Sequence, residues 1–269
     1  MRRGAEVSAG GSAHPRETLP VTPEAGPGWL QSLLDNVHNV PAAFQRRVPP
    51  DVLAAIAEAG DAAASAGSKR DAAVLVLFSG PAEVPARSIV PGLPDDADLL
   101  VTVRASTLRH HAGQAAFPGG ASDPGDDGPV ATALREAWEE TGIDVTRLSP
   151  LATLERMFIP PSGFHVVPVL AYSPDPGPVA VVDEAEAAIV ARVPVRAFVN
   201  PENRLMVYRE ANTSRYAGPA FLLNQMLVWG FTGQVIAAML DVAGWSQPWD
   251  TTKVVELDDA MALVGGESQ

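Results

Sequence analysis

The sequence predicts an α+β fold, or a closely related sandwiched α/β one, and three observations predict it. Residues 72–78 (Ala-Ala-Val-Leu-Val-Leu-Phe) and 99–104 are short apolar runs with the length and β-branched content of buried strands. Residues 130–141 carry a helical period closed by Gly142. Strands and helices then follow one another without the strict alternation of a doubly wound sheet.

The elements follow in chain order. Residues 1–28 are rich in Gly, Pro, Ser, Ala and Glu without periodicity and read as a disordered, mobile leader. Trp29, Leu30, Leu33, Leu34 and Val37 recur at three- and four-residue steps, which predicts a helix over 29–44. Pro49, Pro50 and Asp51 open a second helix, with Val52, Leu53, Ile56 and Ala59 on its buried face. A Pro- and Asp-rich loop over 80–98 joins the two strands named above. Residues 151–158 and 164–172 predict further strands. A short helix is expected over 183–190 and an extended piece over 192–195. A C-terminal helix is expected to begin near Thr232. The folded domain is therefore bounded at 29–242, with 243–269 as a tail.

Composition excludes several functions. With 269 residues, 46% of them hydrophobic, the chain can bury a sizeable core. It has no cysteine, so disulfides, thiolate metal sites and a cysteine nucleophile are all excluded. The formal net charge of −13 argues against coating nucleic acid or an anionic membrane. The basic start Met1-Arg2-Arg3 is not followed by the apolar run of a signal peptide. No stretch approaches 18 uninterrupted apolar residues, so no membrane span is expected. A cytoplasmic location is the expectation that follows. An anionic substrate would need a local counter-charge, and a divalent cation is one solution.

The chemistry concentrates in residues 120–143. At 100° per residue, Glu136, Glu139 and Glu140 share one arc of the 130–141 helix, while Ala131, Leu134 and Trp138 take the opposite face. The apolar face can dock on a sheet and leave three carboxylates converging on one place. Clustered hard oxygen donors suit Mg²⁺ or Mn²⁺, which also bind phosphate oxygens. Arg135 can hold one of these carboxylates. Upstream, Phe117-Pro118-Gly119-Gly120 allows backbone to approach a ligand closely.

This run, Gly120 through Asp126 or Asp127 to Arg135-Glu136-Ala137-Trp138-Glu139-Glu140-Thr141-Gly142-Ile143, resembles the Nudix box. That box is Gly, five residues, Glu, seven residues, then Arg-Glu-apolar-x-Glu-Glu-x-Gly-apolar. Counted from Gly120, the acidic position falls on Asp126. Counted back from Arg135, it falls on Asp127. Residues 100–120, with Arg104, Arg109, Gly113 and the Phe117–Gly120 turn, resemble the signature of the coenzyme A pyrophosphatase branch of that family.

The resemblance spans residues 29–242 and implies the Nudix fold, a mixed β-sheet sandwiched between α-helices. It implies Glu136, Glu139 and Glu140 as ligands of Mg²⁺ or Mn²⁺, and Arg135 as the residue that orients Glu136. Glu136 or Glu186 is the candidate base, with Glu184 an equal neighbour of the latter. Arg104, Arg109, Gly119 and Gly120 are the candidate substrate-binding residues, and His110 and His111 stand beside them. The implied partner is a nucleoside diphosphate derivative, coenzyme A foremost, and a homodimer is the assembly suggested. Another diphosphate substrate and a non-catalytic ligand sensor are the rival readings.

Overall fold

The computed structural model describes residues 19–65, 70–105, 113–160, 162–185, 187–211, 214–224 and 226–265. The described chain opens by lying along a strand, with Thr22 N–H donating to Pro150 O at 2.9 Å and Leu19 packing on buried side chains. The single helix expected over 29–44 is broken. It forms α1 (Gln31–Asp35) and α2 (Val40–Gln45), flanked by 3₁₀ turns over 28–30 and 37–39. Pro41 explains the break, because it lacks an N–H and fits only the first turn of a new helix, where it stands in α2. Next comes α3 (Pro50–Ser65).

The main sheet is built from β1 (Arg70–Ser79), β2 (Asp98–Arg104), β3 (Ala115–Ala116) and β4 (Gly119–Ala121), then, after α4 (Gly128–Thr141), from β5 (Ser149–Thr153), β6 (Met157–Ile159), β7 (Phe164–Ser173) and β8 (Ala187–Pro194). Its order is β3-β2-β1-β7-β5, with β4 also on β1, β6 on β7 and β8 on β2. The β1–β7 pair is parallel and the others are antiparallel.

Strand β1 shows why its sequence is apolar without alternation. Ala73, Leu75 and Leu77 pack with Val130, Leu134 and Ala137 of α4 on one face. Val76 and Phe78 pack with the N-terminal helices and a C-terminal helix on the other. A strand covered on both faces needs apolar residues at every position. The mixed sheet between helices is therefore as expected.

Two local expectations are corrected. The described residues of the 183–190 span do not form a helix. Asp183 closes a turn, its Oδ1 accepting from Ala185 N–H at 2.8 Å, and 187–194 is β8 on β2. The short run Ala187-Ala-Ile-Val-Ala carries no helical face, and the open edge of β2 pairs with it. The strand expected over 151–158 is two, β5 and β6, both paired with β7.

Beyond β8 the chain forms α5 (Val195–Val199), β9 (Arg204–Ala211), β10 (Ser214–Leu223) and β11 (Met226–Val228). Then come α6 (Gly230–Val242), β12 (Val254–Glu256) and α7 (Leu257–Gly265). Strands β9 to β12 make a second sheet of order β11-β10-β9-β12. Its own small core joins Leu205, Val207, Ala220, Leu227 and Ala260. Among the described residues, no helix is long and apolar enough to cross a membrane.

Trp29 ties the ends of the chain to the sheet. Its ring lies 6.1 Å from those of Phe78 and Tyr172 and 6.0 Å from that of Trp245, and its indole N–H donates to Pro81 O at 2.9 Å. Trp29→Ala opens that cavity and orphans the carbonyl. It is expected to destabilise the chain by about 3–5 kcal/mol in urea unfolding. A change below about 1 kcal/mol would mean that the N-terminal segment is not part of the cooperative unit.

Candidate active site

Helix α4 carries the carboxylates and β4 faces them. Val130, Ala131, Ala133, Leu134 and Ala137 are buried against the sheet, which fixes the roll of the helix and turns Glu136, Glu139 and Glu140 outward. Gly142 ends it with φ +66°, a left-handed residue whose N–H donates to Trp138 O at 2.9 Å.

One guanidinium organises the cluster. Arg135 Nε and Nη2 donate to Asp126 Oδ1 and Oδ2, each at 2.9 Å. Its Nη1 donates to Glu136 Oε1 and Glu139 Oε2, both at 2.9 Å, and Nη2 also donates to Ala121 O at 2.9 Å. The fork geometry of arginine makes this possible where lysine would offer a point charge.

The acidic position is therefore filled by Asp126. Asp127 stands instead at the start of α4. Gly128, the first residue of α4, takes φ +84°, a left-handed conformation that glycine adopts without strain. Asp126 also accepts from Asp123 N–H and from the Thr132 hydroxyl, both at 2.9 Å, so it closes the loop that carries it.

The charges follow from these contacts. Arg135 beside Asp126 holds its carboxyl down at about 2, against an ordinary value of 3.8, with burial opposing. The same pairing raises the affinity of Arg135 for its proton. Glu136 moves the other way: burial pushes its carboxyl above the usual range, and Arg135 opposes this.

Gly119 has no room for a side chain against the β1 backbone, and a side chain on Gly120 would displace the Glu136 carboxyl. A Cβ on Gly119 would fall 2.6 Å from Val74 Cα, and one on Gly120 would fall 2.5 Å from Glu136 Cδ. Gly119 N–H donates to Glu140 Oε2 at 3.3 Å. Glu136 and Glu140 thus flank one Gly-Gly segment, while Glu139 is the most exposed of the three. Among the described residues, no three carboxylates are already gathered as a closed ligand set. Arg135 Nη1 bridges two of them, Glu136 and Glu139. Their hard oxygens beside a backbone that tolerates close approach nonetheless suit Mg²⁺ or Mn²⁺ rather than a softer ion.

The turn opens into a cavity of about 1690 Å³ lined by Gly119, Gly120, Glu140 and Arg104. Among the described residues, Arg104 Nε is buried there without a hydrogen-bond partner. Arg109, His110, His111 and Glu186 lie outside the described residues. Composition and periodicity did not single out Trp229, Gln234 and His165, which also line the cavity with buried, unpartnered polar atoms. Only their placement in the fold reveals them.

A NUDIX domain family model matches residues 84–211. An uncharacterized Nudix hydrolase, NudL, of Photorhabdus laumondii is 37% identical over 142 residues, 51% of this chain and 73% of that protein. The chain belongs to the Nudix hydrolase family. NudL of Yersinia pestis (strain Pestoides F) is 37% identical over 140 residues, 51% of this chain and 68% of that protein. Among solved structures, a Nudix hydrolase from Alicyclobacillus acidocaldarius matches with a TM-score of 0.37 and 24% identity over 49% of this chain and 81% of that one. The Nudix chain is thus a hydrolase of a nucleoside diphosphate derivative, and α4 with β4 is its box.

Because the pKa of Asp126 is lowered on folding, its contribution to stability is present above about pH 4 and is lost as pH falls from 3.8 toward about 2. The gap in melting temperature between the wild type and Asp126→Asn is expected to be large at neutral pH. It should shrink through that window in thermal melts. A gap independent of pH would break the assigned Arg135–Asp126 pair.

Proposed function

We propose that this Nudix hydrolase cleaves the diphosphate linkage of coenzyme A or a derivative, with Mg²⁺ or Mn²⁺, releasing 4′-phosphopantetheine and adenosine 3′,5′-bisphosphate. The observation that carries the reading is the cavity beside the box. Its volume, about 1690 Å³, exceeds the roughly 300–1,000 Å³ of ordinary small-molecule sites and suits a diphosphate with a long substituent on each side. The run over residues 100–120, which resembles the coenzyme A branch, supplies Arg104 to that cavity.

Glu136, Glu139 and Glu140 are the residues that would hold the cation. When bound, it would supply charge neutralisation of the diphosphate and a more acidic water. Arg135 fixes the Glu136 carboxylate against the Gly119–Gly120 segment. Glu136 or Glu186 takes the proton of the attacking water. Arg104 and Arg109 bind phosphate oxygens, and Gly119 and Gly120 let the backbone come close to them. A cytoplasmic location and a homodimer belong to the same reading. The box itself is indifferent to what hangs from the diphosphate, so NADH, ADP-ribose, a nucleotide sugar or an oxidised nucleotide is the alternative substrate. A ligand sensor is disfavoured because Arg135, Glu136, Glu139 and Glu140 are all present.

Two measurements test the roles. Glu139→Gln and Glu140→Gln are expected to cut turnover on the order of 10³-fold, with melting temperature nearly unchanged. Near-normal turnover in either would remove that residue from the cation site. Arg104→Ala is expected to raise KM for coenzyme A about ten-fold, the worth of one charge-assisted hydrogen bond. An unchanged KM returns Arg104 to a structural role.

A further inference from the structure

Among the described residues, four buried polar atoms without hydrogen-bond partners belong to residues that line the cavity beside Gly119, Gly120 and Glu140: Arg104 Nε, His165 Nδ1, Trp229 Nε1 and Gln234 Oε1. Buried polar groups are nearly always satisfied, so four orphans on one cavity mark places where a ligand supplies the partner. Sheet register gives their order. Phe158 of β6 pairs with His165 of β7, β7 runs beside β1 with Val166 opposite Ala72, and β1 carries β4 with Gly119 opposite Val74. From β4 the chain leads back through Pro118 and Phe117 to β3, on which β11 packs, and β11 delivers Trp229 and α6. The Gly119–Gly120 turn therefore lies between His165 on one side and Trp229 with Gln234 on the other.

The two sides differ in chemistry. On the β6–β7 side the Phe158 and His165 rings lie 4.9 Å apart, and the Arg70 guanidinium sits 3.9 Å over the Phe164 ring. Aromatic faces beside cations suit a base and a phosphate. On the α6 side the cavity residues contributed by α2 and α6 carry no charge. The wall there includes Phe44 and Phe231, with rings 6.2 Å apart. Beside the neutral polar side chains of Gln45 and Thr232 it carries two buried atoms without a partner among the described residues, the donor Trp229 Nε1 and the acceptor Gln234 Oε1, the latter on a side chain only 1% exposed. A neutral donor and a neutral acceptor on an apolar wall match the carbonyl and N–H of secondary amides. A further phosphate would need a charge that α2 and α6 do not supply.

We propose that the cleft has a fixed polarity, with the nucleotide half of the substrate on β6–β7 and an amide-bearing, otherwise apolar arm at the start of α6. Trp229 Nε1 donates to an arm carbonyl and Gln234 Oε1 accepts from an arm N–H. This rests on the coenzyme A reading above and assigns the ends of that substrate to opposite sides of the box. Trp229 and Gln234 lie outside the residues matched by the family model, so the arm is read by a segment appended to the box domain.

The test is calorimetric binding of the two separate product halves, 4′-phosphopantetheine and adenosine 3′,5′-bisphosphate, to the full chain with Mg²⁺. Trp229→Phe keeps the ring and removes the N–H, and Gln234→Met keeps the volume and removes the amide. Both are expected to weaken 4′-phosphopantetheine about three- to ten-fold, the worth of one hydrogen bond, and to shift the bisphosphate less than about two-fold. Phe158→Leu is expected to do the reverse. Variants that affect the halves the other way round, or both alike, overturn the polarity even if coenzyme A is cleaved. Failure of the wild type to cleave coenzyme A rejects the substrate reading itself, and the arm with it.

Discussion

The site depends on a single guanidinium. Arg135 is asked to satisfy a carboxylate from the loop, two from its own helix and a backbone carbonyl from β4. All lie at hydrogen-bond distance. Its own side chain is only 13% exposed and that of Asp126 only 6%. In such surroundings the pair is bound far more tightly than a surface ion pair, and removing either member leaves a buried charge uncompensated. The loop from Ser122 to Asp126, the entry to α4 and the position of Glu136 are thus one construction. The third glutamate, Glu140, is placed independently, by the Gly119 N–H.

Around this construction the rest of the molecule supplies rigidity and walls. The sheet is covered on both faces, so β1 cannot shift without disturbing both α4 and the N-terminal helices. That holds β4, which β1 carries, in fixed relation to α4. The cavity walls combine residues of the family-matched region, from Thr102 to Val166, with α2 and α3 before it and the Trp229–Gln234 segment after it. The box glutamates sit on the family-matched part of the fold, and α2, α3 and the start of α6 add wall that lies outside it.

The box helix and its glutamates were legible because their signal is local. Spacing alone puts three carboxylates on one face, and Gly142 announces the stop. Which aspartate meets Arg135 was not legible, because counting from either end gave a different answer. The hydrogen bonds from Arg135 to Asp126 decide it. A helix was expected over 183–190 because a short apolar run has no decisive period, and the pairing edge of β2 decided the part from Ala187 onward. The hairpin of β9 and β10 went unread, although Arg204 to Leu223 is rich in strand formers. Trp229, Gln234 and His165 are ordinary residues in sequence. Their significance lies in being buried without partners, a property of the tertiary fold.

The most direct measurement is the initial rate of Mg²⁺- and Mn²⁺-dependent hydrolysis over coenzyme A, acetyl-coenzyme A, NADH, ADP-ribose, a nucleotide sugar and 8-oxo-dGTP, with products identified by mass. The account predicts that the coenzyme A compounds are cleaved fastest, that coenzyme A yields 4′-phosphopantetheine and adenosine 3′,5′-bisphosphate, and that chelation of the metal abolishes the reaction. Preferential cleavage of another compound in the panel would contradict the assigned substrate and leave the box chemistry standing. Binding without cleavage of any of them would contradict the catalytic assignment of the glutamates.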